Sequence, residues 1–347
     1  MRMILTLHSR HFRKVPVLAA FALAVAACGG TESSNNETET SGAETTETAG
    51  SPTQALTALA TTTIWADITS NALCDAPVES IIPAGADPHS FEPSVRVPED
   101  IAAANLLVRN GLFLEEGLLA TLDSTDESNT TVISVASLVE TYVMAGDEDH
   151  ADHDDHGDED HADHDDHGHD HSAGDPHFWL DPVVVAEAVK GIASAAVNAG
   201  WPESVEACAT AYVDDLTALD EEIAAAVSAI EPDRRLLVTN HDAFGYFADR
   251  YGFTVLGTIL PATTTLAEAN PADLAELAEK VTETGVSAIF FDLQASSADA
   301  QAFADRLDGI QVVPLLTGTL VEDPEIGADY LTMMRTNVER IVAGLSN

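Results

Sequence analysis

Histidine and acidic residues alternate densely across residues 147–171, and this segment is the strongest chemical signal in the chain. Residues 147–157 read DEDHADHDDHG, and residues 158–168 repeat the same letters. Imidazole is the commonest metal ligand in proteins, and carboxylates add oxygen ligands and negative potential. Because the segment has no hydrophobic residue larger than alanine, we interpret it as a mobile loop. Its dense histidines indicate that this loop is an accessory metal-binding segment. The alternative is a solvated acidic linker in which histidine is incidental. Its histidines are His150, His153, His156, His161, His164, His167, His169 and His171.

Three further histidines lie outside this loop, in places that suit a second metal site. His89 and His177 each end an Asp-Pro-His tripeptide, and His241 directly follows a short apolar run. Proline fixes φ before the first two, which limits how far each ring can move. In open α/β sheets, ligands bind outside the carboxyl ends of the strands, where such loops converge. The acids of the tripeptides, Asp87 and Asp175, either orient the imidazoles or form turns.

Short apolar runs alternate with helical patterns from residue 57 onward, which is typical of α/β units. A helix is expected from 182 to 199, capped by Asp181, and a longer one from 202 to 230, with apolar residues at three-to-four spacing. A helix of that length can bridge two domains. The runs predict strands at 58–65, 78–82, 106–109, 131–135, 236–239, 254–259, 288–291 and 311–314.

Length, composition and charge restrict the class of protein. The chain has 347 residues with 45% hydrophobic content, enough for roughly two domains. The formal net charge of −45 leaves no basic patch, so nucleic acid and anionic lipid headgroups are not expected partners. Divalent cations would be attracted. The acidity fits adaptation to salty surroundings, or solubility alone, equally well.

The N-terminus predicts export and lipid anchoring. Arg10, Arg13 and Lys14 precede an apolar stretch, 15–27, that is too short to span a bilayer as a stable helix. The letters VAACG then resemble a bacterial lipobox. We expect residues 1–27 to be a lipoprotein signal peptide, Cys28 to carry the lipid anchor, and residues 28–54 to be a flexible tether. The alternative is ordinary cleavage with Cys28 incidental.

Two other cysteines, Cys74 and Cys208, remain in the exported part of the chain. An isolated pair in an oxidising compartment most often forms a disulfide, and we expect one here. Sequence alone does not establish that their Cα atoms lie close enough.

Four stretches carry a family resemblance: GADPHSFEP at 85–93, HFWLDP at 177–182, NHDAFGYF at 240–247 and the C-terminal helix around 330–340. Together they resemble the zinc/manganese solute-binding lipoproteins of ABC transporters, the metal-specific class with a rigid linking helix. The resemblance implies two α/β sandwich domains joined by a single long rigid α-helix, with one metal in the inter-domain cleft. It also implies an extracytoplasmic protein that is not an enzyme, is expected to be a monomer, and serves an ABC permease and its ATPase.

The same resemblance implies domain boundaries and ligands. The N-terminal domain would cover 55–200, the linking helix 201–230 and the C-terminal domain 231–347. The metal ligands would be His89, His177 and His241. Family members often add a carboxylate from a loop near the last strand, but the matching letters here, LTGTL at 316–320, contain none. Water, Asp292, Glu322 and Asp323 remain the candidates for the fourth position.

The ligand types favour Zn²⁺ over Mn²⁺. Three imidazoles suit zinc, whereas manganese prefers oxygen-rich sites, and the manganese-binding relatives generally have a carboxylate where this chain has His241. Binding should weaken as pH falls through about 6.5, because the imidazoles must be deprotonated to bind.

Two other functions fit parts of the pattern. Three histidines with an open water position also suit a zinc hydrolase or hydratase, but the sequence has no H-E-x-x-H or G-x-S-x-G motif. A surface lipoprotein for metal buffering or cell adhesion would use the same features with transport secondary.

Overall fold

A computed structural model describes residues 56–141, 174–295, 297–307 and 309–346. The described residues belong to one compact unit, Gln54–Asn347. The predicted signal peptide, Cys28, the whole tether and the His-rich loop lie outside the described residues. Within the described part of the chain, no helix combines the length and apolar character needed to cross a membrane.

Two four-stranded sheets form the framework, and all neighbouring strands in both are parallel. The first has the order β2-β1-β3-β4 and the second β6-β5-β7-β8. The strands are β1 Ala58–Ala60, β2 Val78–Ser80, β3 Leu106–Arg109, β4 Thr131–Ser134, β5 Leu236–Thr239, β6 Thr254–Thr258, β7 Ala288–Asp292 and β8 Gln311–Leu315. In each sheet the second strand along the chain lies on one side of the first strand, and the third strand lies on the other side. The switch points, between β1 and β3 and between β5 and β7, are where open α/β sheets bind ligands.

Helices connect the strands and cover the sheets. They are α1 Thr63–Ala72, α2 Val97–Ala103, α3 Leu119–Asp123, α4 Pro182–Asn198, α5 Val205–Val227, α6 Gly245–Tyr251, α7 Pro271–Thr284, α8 Ser297–Ala304 and α9 Tyr330–Leu345. Asp181 caps α4 as its sequence predicts, because its side chain accepts a hydrogen bond from the backbone N–H of Val183 at 2.8 Å.

Each sheet is buried on both faces, as parallel sheets require. One extended core, which includes Trp65, Phe178 and Phe290, reaches both sheets. The remaining face of the first sheet packs on a smaller cluster around Ile101, and that of the second on a cluster around Phe303. The chain therefore forms two α/β layered halves, N-terminal (58–198) and C-terminal (236–345), which share a core.

The long helix α5 runs along this shared core. It contacts α1 and α4 of the N-terminal half and α9 of the C-terminal half. The disulfide between Cys74 and Cys208, whose Cα atoms lie 5.3 Å apart, fastens α5 to the loop after α1. Its buried side chains recur every three to four positions: Val205, Ala209, Tyr212, Leu216, Leu219, Ile223 and Val227.

Two elements differ from the sequence-based prediction. The first strand was expected at 58–65 but ends at Ala60, because Thr62 begins a helix by accepting a hydrogen bond from the backbone N–H of Trp65. The apolar run therefore belongs partly to a strand and partly to a helix. The sequence also predicts a helix at 113–121, but this segment forms a 3₁₀ turn at Glu116–Leu118 and becomes α-helical only at Leu119, since Leu112 and Phe113 have positive φ.

Candidate metal site

His89, His177 and His241 meet in a buried cluster between the two halves. Nε2 of His177 lies 3.3 Å from Nε2 of His89 and 3.1 Å from Nε2 of His241. One ring nitrogen from each of the three lies within 4.8 Å of the others. All three side chains are almost fully buried. Three imidazole nitrogens gathered this tightly, away from water, could coordinate one metal ion.

The two Asp-Pro-His tripeptides place their histidines in the same way. The backbone N–H of His89 donates to Oδ1 of Asp87 at 3.0 Å, and that of His177 donates to Oδ1 of Asp175 at 2.9 Å. A carboxylate that accepts from the backbone two residues on closes a local turn, and proline fixes φ inside it. His241 is positioned differently, since it follows the C-terminal end of β5 beside the switch point.

Carboxylates contact the outward-facing Nδ1 atoms of two of the rings. Nδ1 of His177 lies 2.7 Å from Oδ1 of Asp175, and Nδ1 of His241 lies 2.6 Å from Oδ2 of Asp292. A carboxylate beside Nδ1 favours the tautomer that carries the proton on that atom, so the Nε2 atoms of His177 and His241 present their lone pairs to the cluster. This arrangement favours metal binding through Nε2.

Asp87 does not orient its imidazole. Besides closing the turn, it accepts hydrogen bonds from the hydroxyls of Ser90 at 3.0 Å and Thr265 at 2.6 Å. The carboxylate nearest to Nδ1 of His89 is instead that of Glu116, 3.9 Å away. Asp87 therefore forms a turn only, whereas Asp175 both forms a turn and orients the imidazole of His177.

The surroundings shift the pKa values of the histidines in different directions. Burial lowers the pKa of His89 to about 3, and His177 and His241 add to the effect. Burial also lowers the pKa of His177 well below its ordinary value. Burial lowers the pKa of His241, but Asp292, with smaller contributions from Asp87 and Asp175, outweighs it, so the pKa of His241 is raised. At neutral pH, His89 and His177 are therefore uncharged and available as ligands.

The acidic residues beside the cluster respond to the same burial. Burial raises the pKa of Asp175 to about 7. Burial by itself would also raise the pKa of Asp292. The neighbouring His241, together with hydrogen bonds from Thr317 and Asn240, outweighs burial and lowers the pKa of Asp292. Asp292 is therefore ionised at neutral pH, and a cation in the cleft would favour the ionised form of Asp175 as well.

No carboxylate joins the three histidines as a possible ligand among the described residues. Oδ1 of Asp292 accepts a hydrogen bond from the hydroxyl of Thr317. Oδ2 of Asp292 accepts one from Asn240 and lies beside Nδ1 of His241. Glu322 lines a separate pocket with Asp67 and Ser80, and Asp323 accepts from the backbone N–H of Glu325. The histidine pocket itself is completed by Pro88, Trp179, Gln294, Thr317 and Gly318. Sequence reasoning named none of these as site residues.

The nitrogen spacing fits zinc. Ligand nitrogens about 2.0–2.1 Å from a tetrahedral zinc lie about 3.3 Å from one another. The two Nε2–Nε2 separations from His177, 3.3 Å to His89 and 3.1 Å to His241, are close to that value. The cluster can therefore hold a tetrahedral ion on three imidazoles with one position open.

Comparison with known proteins places this architecture in a family. The profile of the family described as zinc-uptake complex component A, periplasmic (ZnuA), matches residues 59–344. The zinc-binding lipoprotein AdcA of Streptococcus pneumoniae is 31% identical over 271 residues, which are 77% of this chain and 51% of AdcA. The chain thus spans about half the length of this relative. The metal ABC transporter substrate-binding lipoprotein ScbA of Streptococcus cristatus is 28% identical over 96% of this chain and 97% of its own.

Solved structures share the fold. The periplasmic zinc-binding protein TroA of Treponema pallidum has a TM-score of 0.70 and 25% identity, covering 84% of this chain and 99% of TroA. A Mn-bound periplasmic metal-binding protein of Candidatus Liberibacter asiaticus has a TM-score of 0.68 over 84% of this chain and its own full length; at 20% identity this likeness concerns the fold. With the profile covering nearly all of the two halves, the chain belongs to the family of the periplasmic component A of zinc-uptake complexes.

Proposed function

We propose that this protein captures Zn²⁺ outside the cytoplasmic membrane and delivers it to the permease of an ABC importer. The observation that carries the proposal is the buried cluster of Nε2 atoms of His89, His177 and His241, spaced for one tetrahedral ion. A site between two halves of a chain can take up an ion and release it again as the halves move. Hydrogen bonds from Thr264 to Glu116 and from Thr265 to Asp87 join the two halves beside the site, and they would break when the halves move apart.

Zinc is the preferred cargo over manganese because of the donor set. Three neutral imidazoles favour a borderline ion such as Zn²⁺, whereas Mn²⁺ prefers several oxygen donors. The carboxylates near the cluster lie behind the rings, at the Nδ1 atoms of His177 and His241. They add negative potential without adding oxygen ligands.

The location and partners follow from the N-terminus and the relatives. The relatives include lipoproteins of a metal ABC transporter, and the lipobox around Cys28 supports a lipid anchor on the outer face of the cell membrane. The protein would act as a monomer, and its partners would be an ABC permease and the attached ATPase. The helix α5, which contacts both halves, would be the rigid link at 201–230 between domains at 55–200 and 231–347.

The His-rich loop at 147–171 would act as an accessory collector that concentrates ions near the cleft. Its eight histidines and thirteen acids offer many weak sites, whereas the cleft offers one enclosed site. Loss of the loop should therefore slow uptake at scarce zinc more than it weakens the final affinity.

The proposal is tested by zinc accumulation in cells that lack this chain and grow with a zinc chelator. We expect the unaltered chain to restore cytoplasmic zinc, His241→Ala to fail, and a variant without residues 147–171 to retain most of the function. If the unaltered chain restores only surface-bound zinc, the protein buffers metal and does not import it. Turnover of generic esters by the zinc-loaded protein would instead support a hydrolase.

A further inference from the structure

The fourth side of the histidine pocket is shaped by a glycine. A Cβ atom on Gly318 would lie 2.9 Å from Cδ of Pro88 and 3.3 Å from Nε2 of Gln294. The first of these distances is shorter than real Cβ contacts, so a side chain at 318 would force its neighbours to move. The space beside Gly318 is instead occupied by the carboxamide of Gln294, which lines the same pocket as the three histidines.

A chain of hydrogen bonds fixes which way this carboxamide points. The hydroxyl of Thr317 donates to Oδ1 of Asp292 at 2.8 Å, and Nε2 of Gln294 donates to the Thr317 hydroxyl oxygen at 2.8 Å. Because the Thr317 hydroxyl donates its one proton to Asp292, the group that faces Thr317 from Gln294 must be a donor. The amide nitrogen is therefore held, and the amide oxygen points away from Thr317.

That oxygen has nothing to bind in the protein. Within the part of the chain that the structure describes, Oε1 of Gln294 is buried and has no hydrogen-bond partner. Buried amide oxygens are nearly always paired, because removing them from water without a partner is unfavourable. An unpaired one in a pocket with three histidine nitrogens is best explained by a cation that it contacts when the pocket is filled.

We propose that the carboxamide oxygen of Gln294 is the fourth donor to the zinc ion bound by His89, His177 and His241. This inference rests on the proposed zinc-binding function and names a residue that determines the specificity of the site. A neutral amide completes the coordination with one oxygen and no charge. An oxygen-preferring ion such as Mn²⁺ gains less from it than from a carboxylate, so Gln294 would bias the pocket toward zinc.

The test measures Zn²⁺ and Mn²⁺ affinity of the full chain by chelator competition, which counts only the tight site, and records the visible absorption of bound Co²⁺. Gln294→Ala should weaken zinc about tenfold and change the Co²⁺ spectrum, since one donor is replaced. Gln294→Met, which keeps the side-chain length and removes the amide oxygen, should do the same if the alanine variant is unstable. Gln294→Glu should strengthen Mn²⁺ binding.

Two controls keep the outcomes separate. Gln301→Ala changes an exposed glutamine whose amide donates to Asp305 in the same region of the chain, and it should alter neither metal affinity nor spectrum. His89→Ala should remove the tight site. If His89→Ala removes it while Gln294→Ala and Gln294→Met keep the zinc affinity and Co²⁺ spectrum of the unaltered chain, the role of Gln294 is wrong and the proposed function stands. If His89→Ala keeps the tight site, both are wrong.

Discussion

The imidazole of His241 lies against the carboxylate of Asp292, with Nδ1 2.6 Å from Oδ2 and both side chains buried. His241 follows the C-terminal end of β5 and Asp292 is the last residue of β7, and these two strands are neighbours at the switch point of the second sheet. The carboxylate keeps the proton on Nδ1 and leaves the Nε2 lone pair facing His177. Asp292 therefore acts on a bound ion through the histidine, which explains why a residue so close to the cluster is not itself a ligand.

Asp292→Asn should weaken zinc binding about 10- to 100-fold while the protein remains folded. The amide can donate to Nδ1 of His241, which would move the ring proton to Nε2 and block the lone pair. Calorimetric titration measures the effect, with circular dichroism to confirm folding. Asp323→Asn is the matched control, because Asp323 is exposed and its side chain caps a local turn. Equal affinities for the two variants would contradict the orienting role.

The pH dependence of binding should follow His241 and Asp175, and neither His89 nor His177. Asp292 raises the pKa of His241 above its ordinary value near 6.5, whereas burial lowers the pKa of His89 to about 3 and that of His177 well below normal. A bound ion excludes the proton from Nε2 of His241 and favours the ionised form of Asp175, whose pKa is raised by burial to about 7. Affinity should therefore fall about tenfold per pH unit as His241 takes up a proton, and more steeply where Asp175 does so as well. The fall should therefore begin above pH 6.5.

The measurement is zinc affinity from pH 8.5 to 5.5 in buffers of constant ionic strength, about three pH units around the ordinary histidine value. Asp292→Asn should move the onset to lower pH, because the carboxylate that raises the pKa is gone. A loss approaching a thousandfold per pH unit would mean that all three histidines titrate together, contrary to this account.

Hydrogen bonds across the cleft should slow the release of zinc. Thr264 donates to Glu116 and Thr265 donates to Asp87, each at 2.6 Å, which ties the segment after β6 to the N-terminal half beside His89. Replacing both threonines with valine should speed zinc dissociation about tenfold, because bonds to charged groups that close the cleft are lost. Stopped-flow transfer to a chelator gives the rate.

Thr282→Val is the control for the threonine pair, since its hydroxyl donates only to the backbone of its own helix at Ala278. It should leave the dissociation rate unchanged. If the double valine variant releases zinc at the original rate, these hydrogen bonds do not hold the cleft closed over the ion.

The disulfide should support stability rather than the metal site. Cys74 and Cys208 are 134 residues apart in sequence, so their bond closes a long loop in the unfolded chain. Replacing both with serine should lower the free energy of unfolding by about 2–5 kcal/mol and leave zinc affinity within about twofold. Guanidinium unfolding and calorimetry check the two parts. Unchanged stability, or lost affinity with the fold intact, would contradict this assignment.

Much of the framework was predictable because it depends on local patterns. The apolar spacing within 202–230 predicts the helix, and the structure buries that same stripe in α5. The apolar runs predict the eight strands, with the largest error at 58–65, where Thr62 starts a helix inside the run. Repeated Asp-Pro-His tripeptides likewise predict two histidines that are held alike.

The rest of the site depends on contacts between distant segments. Gln294 lies in no sequence motif typical of metal ligands. Its position beside the histidines is evident only from its contacts with Thr317 and Gly318 in the folded chain. The same holds for Thr265, which reaches Asp87 from another part of the chain. The one signal in the sequence was an absence, the lack of a carboxylate in LTGTL at 316–320. That gap indicates that another group completes the site but not which one.

The most direct test is a calorimetric zinc titration of protein that starts at residue 51 and lacks residues 147–171, with and without His89→Ala. This removes the histidines of the loop and leaves only the cleft. One tight site should survive deletion of the loop and be lost with His89→Ala. If deletion of the loop alone removes all tight binding, the three-histidine cleft is not the zinc site, and the protein is a metal buffer built around its repeat.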